Sequence, residues 1–401
     1  METADGKKAR ALRFVVLVGI MSFFADFTYE GSRGILGPYL ALLGASGTAV
    51  GVVTGFGELA GYGLRLVSGR VADRTQKFWP ITIVGYIVQM AAVPALALAH
   101  SWTAAAVLLI LERVGKATRN PPRDVMLSHA GAQLGGMGWA FGVHEALDQG
   151  GALFGPLLVA LVLARHGDYR LAFAVLLIPA LLMLLLLAVA RWLYPHPEQM
   201  EEGPTGGASG LPRRFWIYLA GAALVAAGFA DYPLIAFHFQ KTGTLTGSWV
   251  PIAYAIAMGV SGAGSLLFGK LFDRAGLRVL IPLTLISAVY APLVFFGGFR
   301  GGLLGAAIWG LGMGVHESIM PAAVAPMVSR EHRASAYGLF TGIYGVAWFL
   351  GSVAIGVLYD ISVVTTAAVC LLLVLGSVPF FFVIVSANPT RREEVAFVQP
   401  Q

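Results

Sequence analysis

Fourteen residues, Leu111 to Asp124, hold four bases and two acids inside a run, Trp102 to His129, that otherwise reads as one apolar helix. Glu112, Lys116, Arg119 and Arg123 recur at the spacing of a single helix face, with Arg113 beside them and Asp124 at the lower end. Glu112 and Lys116 can pair along the helix. Bases in such a place either hold carboxylates ionised or bind an anionic solute. Candidate carboxylates lie elsewhere in the chain. Asp26, Glu30 and Arg33 share one helix face, and Glu58 is followed by Arg65, with which it can pair. His144 and Asp148 share a face, with Glu145 beside them. Asp231 precedes Pro233, and His316 and Glu317 are adjacent. A carboxyl or imidazole whose proton affinity depends on its surroundings can carry a proton. Asp26 and Glu30 are the first candidates for that role, with Asp148 and Glu317 behind them. Tyr29, Tyr254, Tyr344 and Trp348 could line a cavity. No nucleophile–base pair and no metal-ligand spacing is readable, so neither enzymatic chemistry nor a metal or cofactor is expected. Adjacent His-Glu pairs on a helix point about 100° apart, which disfavours a metal at His144–Glu145 or His316–Glu317.

The elements that must position these residues are membrane helices. Of the 401 residues, 57% are hydrophobic and 12% charged, with a mean hydropathy of +0.75. A soluble chain carries about 25% charged residues. Fifty-one glycines suit close helix contacts in a bilayer. The alternating strands of an outer-membrane barrel are absent from the pattern, so the class is all-α. The net charge of +6 is spread over loops and points to no nucleic-acid partner. The single Cys370 excludes an internal disulfide. No cleavable signal peptide is legible, because the first apolar run is a full-length span.

Twelve apolar segments of membrane-crossing length can be marked, at 14–43, 47–69, 78–99, 102–129, 136–165, 170–192, 214–241, 246–269, 278–299, 302–329, 335–359 and 362–387. With the N-terminus in the cytoplasm, seventeen Lys and Arg fall on the cytoplasmic side, and only Arg165, Arg170, Lys241 and Arg300 fall outside. That bias predicts both termini cytoplasmic, in an inner or plasma membrane. The polar stretch from Tyr194 to Pro212 divides the chain into a bundle over 1–193, a linker over 194–212, a second bundle over 213–390 and a tail over 391–401. The halves repeat. Gly69-Arg70-Val71-Ala72-Asp73-Arg74 returns 200 residues later as Gly269-Lys270-Leu271-Phe272-Asp273-Arg274. Ala140-Phe141-Gly142 and Gly155 return 196 residues later as Ala336-Tyr337-Gly338 and Gly351. Two related six-helix halves suit a transporter that rocks about a central site. Spans three, six, nine and twelve carry no internal charge and are expected to face lipid. Asp26 lies roughly 18 Å deep at 1.5 Å per residue, near the midplane, and Glu58 at similar depth. Pro121 and Pro122 are expected to kink or unwind the lower part of span four. The N-terminal half is expected to carry the polar chemistry and the C-terminal half mostly apolar wall.

Twelve spans in two repeated halves, with Gly-x-x-x-Asp-Arg after spans two and eight, resemble the major facilitator superfamily over about residues 12–390. Gly69, Asp73, Arg74 and Lys77 match that family's loop signature, with Gln76 in place of its second glycine, and Gly269, Asp273, Arg274 and Gly276 match in the second copy. The resemblance implies that these residues, with Asp124 nearby, latch one conformation. Gly142, Gly151, Gly155 and Pro156 match the span-five motif of the family's proton-driven exporters, while Val159 and Ala160 depart from its closing pair. Arg113 is nearest to the exporters' span-four arginine, with Gly115 off-register. The resemblance therefore implies a monomeric exporter of a small organic solute or drug, working in the lipid bilayer by proton antiport and alternating access. An importer or uniporter of a small anionic metabolite, or a lipid flippase, remains the alternative on the same fold.

Overall fold

The computed structural model describes residues 4–75, 77–133, 137–195, 211–320, 323–324, 327–328 and 333–386. Its description of side chains excludes 4–7, 73, 128–129, 131–133, 137–143, 145, 266, 269–270, 273, 318 and 333–335. The described chain is helical, with no strand among these residues. Each marked apolar segment is occupied by helix. Spans one to five are Ala4–Leu42, Gly47–Thr75, Phe78–Ala95, Trp102–Gln133 and Met137–His166. Spans eight and eleven are Trp249–Ala275 and Arg333–Ile361. Spans six, seven, nine and twelve are each built from two pieces: Tyr169–Val175 with Leu177–Leu193, Arg213–Gly228 with Tyr232–Thr242, Leu280–Ala288 with Tyr290–Phe296, and Val363–Gly376 with Val378–Ser386. Span ten, Gly298–Gly314, passes into a wide π-type turn at Val315–Ile319 that carries His316 and Glu317. Among the described residues, eight helices are long and apolar enough to cross a membrane on length and composition alone. The chain is a multi-pass membrane protein.

Two local features depart from a plain reading of the sequence. Span four stays helical through Pro121 and Pro122. Pro121 has no N–H for the carbonyl of Ala117, four residues back. Ser68 of span two supplies the missing donor, its Oγ reaching that oxygen at 2.9 Å. The break falls instead in span seven, at Phe229–Asp231. Its freed backbone groups are satisfied from within the bundle. The Ala230 N–H donates to Tyr290 Oη at 2.7 Å, Tyr290 donates to the Gly228 carbonyl at 3.0 Å, and Trp309 Nε1 donates to the Ala230 carbonyl at 2.8 Å. An open backbone inside a membrane survives only with such partners.

Spans six and twelve present Ile178, Leu185, Leu372 and Phe382 outward, as expected of lipid-facing helices. Span three is the exception to its own label. Its outer face exposes Val84 and Ile87, but Tyr86 and Gln89 are fully buried on the inner face. Cys370 is a free, buried thiol in span twelve.

Candidate functional site

The charged stripe of span four faces inward and finds partners on three helices. Lys116 Nζ and Arg119 Nη2 lie 3.8 and 3.6 Å from Asp26 Oδ1 of span one. Arg113 Nη2 lies 2.9 Å from Glu58 Oε1 of span two, which Arg33 Nη2 also approaches at 3.3 Å. Glu112 accepts from Gln89 Nε2 at 3.2 Å and sits 3.6 Å from Arg113 Nε, so it does not pair with Lys116. Arg119 is wholly buried; its Nε donates to Gln89 Oε1 at 2.6 Å and its Nη1 to Tyr86 Oη at 3.1 Å. Charge alone could not reveal Tyr86 and Gln89. The available signal was Gln89 itself, an amide in the middle of an apolar helix.

The lower end of the stripe is tied to span one. Arg123 is 8% exposed. It binds Asp124 Oδ1 through Nη2 at 2.7 Å, and its Nη1 donates to Ser22 Oγ at 3.2 Å. Ser22 in turn bonds His144 Nε2 at 2.7 Å. Asp124 is therefore held by its own neighbour. Glu58 is held by Arg113 and Arg33 rather than by Arg65. Arg74, Lys77 and Arg274 are exposed. The side chains of Asp73, Glu145 and Asp273, and those positions of the glycine motifs at Gly142 and Gly269, lie outside the described set.

Among the described residues, two polar contacts from the first six spans to the last six matter at this depth. Tyr254 Oη of span eight donates to Glu30 Oε2. Asp231, at the span-seven break, lies 3.9 Å from Arg33 and accepts from Trp348 Nε1 and Ser352 Oγ, both at 2.8 Å. The C-terminal half is thus more than an apolar wall: it supplies an aspartate and the hydroxyl that holds Glu30.

A cavity of about 310 Å³ lies between the halves. One wall carries Tyr29, Glu30, Arg33, Glu58, Arg65, Arg113 and Lys116, and the other carries His316, Glu317, Phe340, Tyr344 and Trp348. Lys116 Nζ sits 3.8 Å over the Tyr29 ring, a contact that holds the ammonium in place without neutralising it. Of the sequence candidates, Asp26, Glu112, Arg119, His144, Asp148 and Asp231 do not line this space. Asp26, Glu112 and Asp231 stand behind it, each against a base that lines it. Among the described residues, no group of three His, Cys, Asp or Glu could hold a metal ion.

The end of the cavity toward Leu42 is closed. Span one meets span seven there: a Cβ on Gly37 would lie 1.8 Å from the Pro233 carbonyl oxygen. Span two meets span eleven: a Cβ on Gly51 would lie 2.4 Å from the Ser352 carbonyl oxygen. Asp360 of span eleven caps the start of span two, accepting from Gly47 N at 2.9 Å, Thr48 N at 2.7 Å and Thr48 Oγ1 at 2.7 Å. Toward the other end the lining continues to Arg65 and Tyr337, and Glu317 is exposed.

Comparison with known proteins agrees with this architecture. The Major Facilitator Superfamily profile matches residues 18–352. An uncharacterised protein of Mycobacterium tuberculosis is 42% identical over 382 residues, covering 93% of each chain. An MFS-type efflux pump of Mycolicibacterium smegmatis is 27% identical, over 87% of this chain and 84% of that one. Among solved structures, a mutant form of the nucleoside transporter NupG superposes with a TM-score of 0.74 at 15% identity, covering 93% of this chain and 99% of the other. A helical membrane bundle whose two halves enclose a polar cavity, matched along most of its length by that profile, belongs to the Major Facilitator Superfamily of transporters.

Proposed function

We infer that the protein exports a small organic solute by proton antiport, through alternating access about the cavity between its halves. Glu30 is the observation that carries this reading. It faces the cavity, is 8% exposed, and is in no ion pair among the described residues. Its bond to Tyr254 joins the two halves, so its proton state is tied to how the halves sit. Asp26 is a poorer candidate, because it lies outside the cavity lining, between Lys116 and Arg119. The latch residues Gly69, Asp73, Arg74, Lys77, Gly269, Asp273 and Arg274 would act at the opposite end from Asp360. With the basic loops in the cytoplasm, the closed Asp360 end faces out and the cavity faces in. The similarity to an efflux pump supports the same direction.

The test uses inverted membrane vesicles holding a preformed pH gradient and a panel of organic solutes. At least one solute collapses the gradient with the wild-type protein and fails to do so with Glu30→Gln. Equal collapse with both proteins removes Glu30 from the coupling. Solute flux that ignores the gradient removes antiport and leaves the uniporter of anions. That second reading is favoured by the four bases, Arg33, Arg65, Arg113 and Lys116, that line the cavity against three acids.

A further inference from the structure

Buried polar atoms nearly always find partners, and each exception calls for an explanation. Four of the exceptions here belong to residues that line the one central cavity: Arg33 Nε, Arg65 Nε, His316 Nδ1 and Tyr344 Oη. Two of these residues are on the basic wall and two on the aromatic wall. His316 and Tyr344 are 7% and 4% exposed, so bulk water does not serve them.

Four bases, Arg33, Arg65, Arg113 and Lys116, line the cavity against three acids, Glu30, Glu58 and Glu317. Arg33 and Arg113 share Glu58 and also approach Asp231 and Glu112 respectively, and Lys116 shares Asp26 with Arg119. Arg65 is in no ion pair among the described residues; its guanidinium rests against the Tyr62 ring at 5.6 Å. Arg65, Arg113 and Lys116 converge with Tyr62 and Glu58 on one small recess. The opposite wall is a stack of rings. Phe340 and Tyr344 stack at 5.5 Å, Tyr344 lies 5.8 Å from Trp348, and His316 lies 5.9 Å from Trp348 edge-on. Tyr62 closes toward Tyr344 at 6.2 Å.

We propose that the cavity binds an aromatic organic anion, with its acidic group between Arg65 and Lys116 and its ring against Tyr344, Phe340 and Trp348. The guanidinium gives a carboxylate or phosphonate a planar pair of donors, and Lys116 adds a second charge. His316 Nδ1 and Tyr344 Oη then meet a polar substituent on the far side of the ring. This assignment rests on the transport reading above, naming the class of solute, but it is tested without transport.

Purified protein in detergent is titrated with naphthoate, with the uncharged naphthamide, and with a naphthylmethyl ammonium salt. Binding is read from tryptophan fluorescence and from the shift in melting temperature. Naphthoate is expected to bind and to weaken as salt rises, with the amide at least about tenfold weaker and the ammonium weaker still. Arg65→Gln lowers naphthoate affinity about tenfold or more, and Arg65→Lys restores part of it. Arg65 is half-buried and in no ion pair among the described residues, so its loss is expected to leave the fold intact, which an unchanged melting temperature without ligand checks. Tyr344→Phe weakens hydroxynaphthoate more than naphthoate. Equal binding of acid and amide, preference for the ammonium, no binding by any of the three, or an Arg65→Gln protein with unaltered affinity overturns the proposal. Anion binding without gradient-driven flux leaves this assignment standing and removes antiport. Gradient-driven flux of cations by a protein that ignores naphthoate does the reverse.

Discussion

The two acids of span one show how neighbours decide what a residue can do. Asp26 and Glu30 are one helical turn apart and equally buried, yet Asp26 balances two bases and Glu30 meets a hydroxyl. Asp26→Asn leaves Lys116 and Arg119 without their shared counter-charge. Breaking a buried pair from one side costs about 3–5 kcal/mol, so this variant is expected to lose most of its folded yield and to melt well below the wild type in detergent. Glu30→Gln keeps an acceptor for Tyr254 and is expected to melt within a degree or two of the wild type while losing proton coupling. Fluorescence-detected size exclusion and a melting scan on both proteins check the contrast. The sequence showed that both acids lie at mid-depth on one face. It did not show their partners. Lys116 and Arg119 were legible as a stripe, but Tyr254 lies more than two hundred residues away, and its reach to Glu30 depends on how the halves dock.

At the scale of the helix, the span-five glycines are read most directly. They keep span five against span one. A Cβ on Gly151 would lie 2.1 Å from the Phe23 carbonyl oxygen, and one on Gly155 would lie 2.2 Å from that of Phe27. Gly150 is different: its Cβ would meet only the Phe23 ring at 3.4 Å. Gly151→Ala is therefore expected to force the helices apart and sharply reduce folded protein, while Gly150→Ala is tolerated, as yield after solubilisation will show. The motif was visible as spacing, and the contact gives it a mechanical reason independent of transport direction. Helix breaks were harder to read. The prolines of span four suggested a break that Ser68 prevents. The break in span seven has Pro233 two residues beyond Asp231, but what keeps it open is Tyr290 and Trp309, from spans nine and ten. A break is decided by who can satisfy the freed backbone, which a single segment does not reveal.

For the whole molecule, the closed end is a single joint made of fitted helix surfaces and one carboxylate. Asp360→Ala removes three hydrogen bonds from the start of span two, in which Thr48 keeps its hydroxyl but loses its acceptor. The population is expected to shift toward the state open at that end. Val50, fully buried there, gives the reading. In Val50→Cys a membrane-impermeant maleimide added outside intact cells labels slowly. In the double variant with Asp360→Ala it labels several-fold faster. Equal rates would mean that Asp360 does not hold the joint. The all-helical class and the helix in each apolar segment were legible from composition and period, because the bilayer imposes them. The joint was not, since glycine spacing on spans two and eleven acquires meaning only once those helices touch. The lone thiol matters to every such measurement. Cys370 is sealed inside span twelve with no exposed surface, so the natural chain is already a silent background for thiol chemistry. Each introduced cysteine reports on its own position alone, and the movements of this transporter can be mapped without first altering a native residue.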